Sequence, residues 1–159
     1  EIQRSIGLET FLKNVKEVSN YAFKKDIEIL LENNVIGSSN YRLFGKNPFL
    51  MTDLEDIKII MKNTPKNVNL LFDVGHLKVS ANTLNFDKFH THNECKKWIK
   101  AYHISENNGK EDTNSQIHKN SWFSKDLKRV KSYTLEIYTE DFNIIKKQIK
   151  ILKNILNER

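Results

Sequence analysis

Apolar positions along the chain follow two periods that alternate. Leu8, Phe11, Leu12, Val15, Val18 and Ala22 recur at steps of three and four, which places them on one face of a helix. Leu54, Ile57 and Met61 repeat that spacing behind Thr52-Asp53-Leu54-Glu55. The tetrapeptide reads as a capping box, with Thr52 as N-cap and Glu55 three residues on. A weaker helical pattern spans 86–97. The last helix is the clearest, because Ile145, Ile149, Leu152 and Leu156 make an apolar stripe while Lys146, Lys147, Lys150 and Lys153 lie off it. Between these segments lie short β-rich runs at 27–31, 68–72, 99–104 and 133–137. Strand-length runs alternating with helices imply βαβ units and a parallel sheet. Right-handed crossovers then place the helices outside that sheet. There is no residue-level repeat or linker, so residues 1–159 read as one α/β domain.

Composition narrows the class. The 159 residues are 38% hydrophobic and 29% charged, with 5 Gly and 2 Pro, as in an ordinary globular domain. No apolar run approaches the roughly 20 residues of a membrane span, so no membrane partner is expected. The net charge of +6 is spread among Lys and Asn without a block of five like charges. It reads as a solvated surface rather than a nucleic-acid interface. The single cysteine, Cys95, excludes an intramolecular disulfide or a multi-cysteine metal site and reads as a buried thiol. Glu1-Ile2-Gln3-Arg4 carries neither Met nor a signal-peptide core, which reads as an internal start in a cytoplasmic protein.

The chemistry concentrates where the strands end. Leu31 is followed by Glu32, Phe72 by Asp73 with His76 three residues later, Tyr102 by His103, and Leu135 by Glu136. Parallel α/β folds, barrels above all, place their sites at the C-terminal ends of strands. Alternation puts Ile99, Ala101 and His103 on one face of the third strand, and Thr134, Glu136 and Tyr138 on one face of the fourth. Asp73 and His103 are expected at the rim of the sheet. Two Glu, one Asp and one His converging there would form an oxygen-rich site for a divalent metal ion: Mn²⁺, Mg²⁺, Co²⁺ or Zn²⁺. Three carboxylates without a cation would raise one another's pKa, a conflict that a metal resolves.

These residues carry a resemblance. Leu31-Glu32-Asn33, Phe72-Asp73-Val74-Gly75-His76, His103-Ile104-Ser105-Glu106-Asn107-Asn108-Gly109 and Leu135-Glu136 resemble the xylose isomerase-like TIM-barrel superfamily. That group includes sugar isomerases and epimerases, inosose dehydratases and the endonuclease IV type of apurinic-site nuclease. The resemblance covers essentially the whole chain but only the second, C-terminal half of the family's (β/α)8 barrel, about four βα units. It implies that Glu32, Asp73, His103 and Glu136 hold metal, and that Glu32 and Glu136 also exchange a carbon-bound proton. His76 matches a residue that binds substrate in the sugar enzymes and metal in the nuclease.

The resemblance makes the leading expectation a metal-dependent isomerase or epimerase of a sugar, sugar phosphate or polyol, with a small-molecule sugar as its partner. An apurinic-site nuclease and a non-catalytic homologue that keeps the fold are the alternatives. Many relatives carry Asp-x-His after the His103 strand. Here Asp112 is present but Asn114 stands at the His position, which counts against the nuclease.

Other residues are weighed beside these. Lys110, just after Gly109, offers a cation to a substrate phosphate or hydroxyl, against the plainer reading of a solvated loop lysine. Trp122, in a loop above the site, is expected to stack on substrate, whereas Trp98 reads as core. His118 is a loop residue that could enter the site from above, and His90 and His92 read as a solvated helix end. A full barrel needs about 250 residues. The chain is therefore expected to be completed by an N-terminal half-barrel or by another copy of itself, since a lone half would expose two strand edges.

Overall fold

The computed structural model describes residues 3–157; the terminal Glu1-Ile2 lie outside that range. Helix α1 (Arg4–Phe23) precedes β1 (Ile29–Glu32). Helices α2 (Ser38–Phe44) and α3 (Leu54–Asn63) lead to β2 (Val68–Asp73), and α4 (Val74–Leu84) and α5 (Lys88–Cys95) to β3 (Ile99–Ile104). Strand β4 (Ser132–Leu135) and helix α6 (Phe142–Asn157) follow. The strands form one all-parallel sheet in the order β1-β2-β3-β4. The four apolar runs are thus strands, and the α/β expectation holds.

One face of the sheet and the helices enclose the core. Leu70, Phe72, Ile99, Tyr102 and Ile104 pack there with Ile57, Ile60, Leu77, Cys95, Leu152 and Ile155. The other face carries the site. Among the described residues, the outer edges of β1 and β4 have no strand partner.

Several elements differ from the sequence pattern for identifiable reasons. Strand β1 starts at Ile29 rather than residue 27, because Asp26 at φ 56° closes α1 with Ile27 N–H donating to the Ala22 carbonyl at 3.0 Å. Along α1, Val18 is 58% exposed while Ser19 is buried, donating to Asn67 Oδ1 at 2.6 Å. Asp53 rather than Thr52 caps α3, accepting from Asp56 N–H at 2.9 Å. On α6 the buried line is Gln148, Leu152 and Ile155, leaving Ile145 and Ile149 36% and 41% exposed. Gln148 goes inside because its Oε1 accepts from Ile117 N–H at 2.7 Å.

Strand β3 carries a bulge. Leu70 pairs with Ile99 but Leu71 with Ala101, so Lys100 is an extra residue. Ile99 therefore packs with Leu70 and Tyr102 in the core, and leaves the face of Ala101 and His103 that simple alternation assigned it.

Helix α4 follows β2 without a loop, because Asp73 ends the strand and caps the helix, accepting from His76 N–H at 2.7 Å. Gly75 makes this junction fit: a Cβ there would lie 2.5 Å from Ser105 Oγ and 3.2 Å from Asn107 Nδ2. Gly75→Ala should therefore destabilise the fold by about 1–3 kcal/mol through overpacking, although Ala favours helix. Denaturant unfolding measures it, and an unchanged midpoint would show that Ser105 can move aside.

Candidate metal centre

Each ligand-type side chain comes from the end of a different strand. Glu32 closes β1, Asp73 closes β2 and His103 is the penultimate residue of β3. Glu136 follows β4 directly, its N–H donating to the Ile104 carbonyl at 3.1 Å. Asp73 and His103 are register partners. One ligand atom from each of the four lies within 4.8 Å of the other three. His103 Nδ1 is the hub, 2.9 Å from Glu32 Oε1, 3.1 Å from Glu136 Oε1 and 3.9 Å from Asp73 Oδ2.

Asp73 is wholly buried, not at the rim as its place at a strand end suggested. Asn33 explains how it is held there: its amide donates to the Asp73 carbonyl at 3.0 Å and accepts from Asp73 N–H at 2.7 Å. Oδ1 of Asp73 caps α4, but Oδ2 is buried with no hydrogen-bond partner among the described residues. Burial pushes the Asp73 carboxyl up to about 6; the charges of Asp112 and Glu136 add to the rise, and His76 opposes it.

Two like charges 4 Å apart repel by about 4 kcal/mol at an effective dielectric near 20. A cluster of three carboxylates with one orphaned buried oxygen is therefore short of positive charge. Three hard oxygens and one imidazole are a donor set suited to a divalent cation, so these residues fit a metal.

In chelator-treated protein, Asp73 should leave a pH signature. Its native pKa lies above the unfolded value of 3.8, so the native state holds its proton longer and stability falls as pH rises from about 4 to about 6. Asp73→Asn keeps a capping side chain but cannot ionise. The melting temperature of this variant, relative to wild type, is expected to rise across that window. A constant difference from pH 4 to 7 would show that Asp73 is not a strained buried acid.

His76 stands beside the cluster. Its Nδ1 is 2.8 Å from the Asn33 carbonyl and 3.9 Å from Glu32 Oε1, and its Nε2 is 3.2 Å from Asp112 Oδ2. Burial opposes charge on this ring, but the hydrogen bond to Asp112, the charge of Asp73 and the Asn33 carbonyl outweigh it and lift the pKa to about 9. Asn33 and Asp112 received no structural role from sequence reasoning. The Asn directly after Glu32 was the available signal for the first; nothing short of the loop's path reveals the second.

A cavity of about 480 Å³ opens beside these residues, lined among others by Phe11, Leu30, Glu32, Asn33, Met51 and His76. Successive residues of β1 line it, so it runs along that strand's unpaired edge.

The remaining candidates lie elsewhere. Trp122 packs edge-on against Phe89, His92 and Phe123, with ring centroids 5.6–6.0 Å apart, so it belongs to an aromatic cluster on α5 and not to the metal cluster. His92 is buried rather than solvated, because the Asp87 cap turns Thr91, His92 and Cys95 inward; its Nε2 is 2.8 Å from Tyr102 Oη. His90 and His118 are both exposed, His118 on the rim of a surface cavity that Ile151 and Ile155 of α6 also line. Lys110 is exposed on the loop, held by its N–H to Asn108 Oδ1 at 2.8 Å. Trp98 packs against the core, and Cys95 is a free, buried thiol whose pKa burial pushes up to about 12.

No protein-family model matches the sequence, and no curated protein matches it. Among solved structures, the chain is similar to a protein from Rhodospirillum rubrum provisionally named a xylose isomerase, at 18% identity and a TM-score of 0.64. The similarity covers 92% of this chain and 52% of that one, so the chain spans about half the length of that protein. The fold is a partial xylose isomerase-like barrel. Within this partial barrel, the described residues include no helix long and apolar enough to cross a membrane.

Proposed function

We propose that this partial barrel belongs to a divalent-metal-dependent isomerase or epimerase acting on a sugar, sugar phosphate or polyol. The observation that carries the reading is the convergence of Glu32, Asp73, His103 and Glu136 from four successive strand ends. These four would hold the ion; when bound, Mn²⁺, Mg²⁺, Co²⁺ or Zn²⁺ supplies Lewis acidity toward a carbonyl or alkoxide oxygen. Glu32 and Glu136 come from the two outermost strands and approach the site from opposite edges of the sheet, on the same face. That placement suits one carboxylate to take the proton from the carbon beside a carbonyl and the other to return it. His76, next to Glu32, is placed to hydrogen-bond a substrate oxygen. The cavity beside β1 runs along the strand edge that this reading has a further strand cover, so it is room for that strand rather than for substrate. Lys110 and Trp122 have no part in this reading.

The same reading has the unpaired edges of β1 and β4 covered by further strands, supplied by an N-terminal half-barrel or a second copy, since open parallel edges invite pairing. Light scattering on the 159-residue chain alone should then report species heavier than 18.7 kDa. A stable monomer of that mass would count against closure. A cytoplasmic setting, where the lone thiol of Cys95 stays reduced, suits this reading.

The function is tested by incubating a panel of ketoses with the protein in D₂O, with and without Mn²⁺. Deuterium should enter the carbon next to the carbonyl only when metal is present. Metal bound at the cluster with no uptake from any ketose would sink the isomerase reading. Nicking of an abasic DNA duplex under the same conditions would replace it with the nuclease.

A further inference from the structure

Helix α6 is apolar along two lines, and the core takes only one of them. Gln148, Leu152 and Ile155 face inward, with Gln148 Oε1 accepting from Ile117 N–H at 2.7 Å. Phe142, Ile145 and Ile149 recur at steps of three and four and stay exposed. At about 100° per residue these three lie within about 60° of one another, on the flank of α6 opposite Ile151 and Asn154. Ile151 and Asn154 line a cavity together with His118, on the loop that follows β3. The exposed stripe therefore lies on the side away from β3, beside the unpaired edge of β4. Lys146, Lys150 and Lys153 come next around the helix, on its solvent side, and all three are exposed. No residue of α6 is acidic.

The helices already present limit what can cover this stripe. A closed barrel sets one helix over each neighbouring pair of strands. Both free edges of this sheet carry their own: α6 beside β4, and α1 beside β1, where Phe11 lines the cavity along the edge. Two copies joined edge to edge would set α6 of one and α1 of the other over the same seam. Nor does α1 offer opposite charge, with Arg4, Lys13 and Lys16 against Glu9 and Glu17. A lipid surface fits no better, since it leaves the free N–H and C=O groups of the β4 edge unpaired.

We propose that α6 is the docking surface for a helix of a different, complementary half-barrel, one that is apolar along a stripe and acidic beside it. Phe142, Ile145 and Ile149 supply the contact, and the row of Lys146, Lys150 and Lys153 selects carboxylates across it. The complement has a strand at each end and helices only between its strands, so each seam receives one helix. This rests on the closed-barrel part of the reading above and decides against a second copy as the closing half.

Two synthetic amphipathic helical peptides serve as probes, each with a leucine stripe at steps of three and four, flanked by glutamate in one and by lysine in the other. Fluorescence anisotropy should show wild type binding the glutamate peptide at least about tenfold more tightly, because the lysine peptide sets like charges opposite each other. The triple variant Lys146→Glu, Lys150→Glu, Lys153→Glu should invert the preference. Ile149→Asp should weaken binding of the glutamate peptide at least about tenfold with an unchanged circular dichroism spectrum, because Ile149 stands outside the core. Equal affinities for the two peptides, or a preference that charge reversal leaves in place, would overturn the proposal. So would a defined two-copy species that Ile149→Asp disperses, or phosphatidylserine vesicles that displace the glutamate peptide. If the chain is a stable monomer and keeps the preference, closure falls and the docking surface stands. If it associates without any preference, the docking surface falls alone.

Discussion

Metal binding is expected to be lost in Asp73→Asn and in His103→Ala while the parallel sheet survives in both. Outer-shell substitutions typically weaken metal sites about 10–100-fold, so loss of a direct ligand should exceed about 100-fold. The two variants fail for different reasons. Asp73 Oδ2 is the orphaned buried oxygen, and the Asn variant removes its charge while keeping a side chain able to cap α4. Asparagine is the informative substitution, because alanine would also cost the cap about 1 kcal/mol and confuse the two effects. In His103→Ala the carboxylates of Glu32 and Glu136 lose the ring nitrogen now at 2.9 and 3.1 Å, which both of them address. Calorimetric titration with Mn²⁺, beside far-ultraviolet circular dichroism, separates lost binding from lost structure. Stoichiometric metal in both folded variants would mean that the cluster is not the site.

The residues that carry this expectation were readable in the sequence because buried parallel strands are continuous apolar runs. The runs at 27–31 and 68–72 stop at Glu32 and Asp73, which locates both the strand and its end, while His103 and Glu136 lie within the runs at 99–104 and 133–137 and were placed by alternation. What escaped is set by partners distant in sequence. Helix α4 has buried positions on several sides (Val74, Gly75, Leu77, Val79, Ser80, Ala81), so it shows no apolar stripe of period 3.6. Helix α2 buries none of its seven residues and leaves no hydrophobic signal. The bulge at Lys100 exists only in the register of β3 against β2, and no property of Lys100 itself announces it. Trp122 looked like a residue above the site because its loop follows the site strand, yet the loop packs on the core and sets the indole edge-on against Phe89. The four cluster residues were legible because strand ends fix them. Asn33 and Asp112 were not, because their roles depend on how loops return to Asp73 and His76.

Glu32→Gln and Glu136→Gln should each keep substrate binding better than turnover, with exchange of a carbon-bound proton falling by about 10²–10⁴-fold, the usual worth of a positioned acid or base. The argument rests on symmetry and on chemistry. Both carboxylates address the same nitrogen, His103 Nδ1, at 2.9 and 3.1 Å, but they arrive from β1 and from the end of β4, the two opposite edges of the sheet. Glutamine preserves size and one ligating oxygen, so the site should keep its shape while losing a base. If the two residues act as a pair, one removing the proton and one returning it, either change alone should stop net conversion. A residual exchange that survives in one variant and not in the other would then identify the base that faces the substrate proton first. The measurement is deuterium uptake into a ketose from D₂O at saturating Mn²⁺, with bound metal verified in each variant. Undiminished uptake in Glu136→Gln would make that residue a ligand only, and proton transfer would have to be assigned to Glu32 with a different partner.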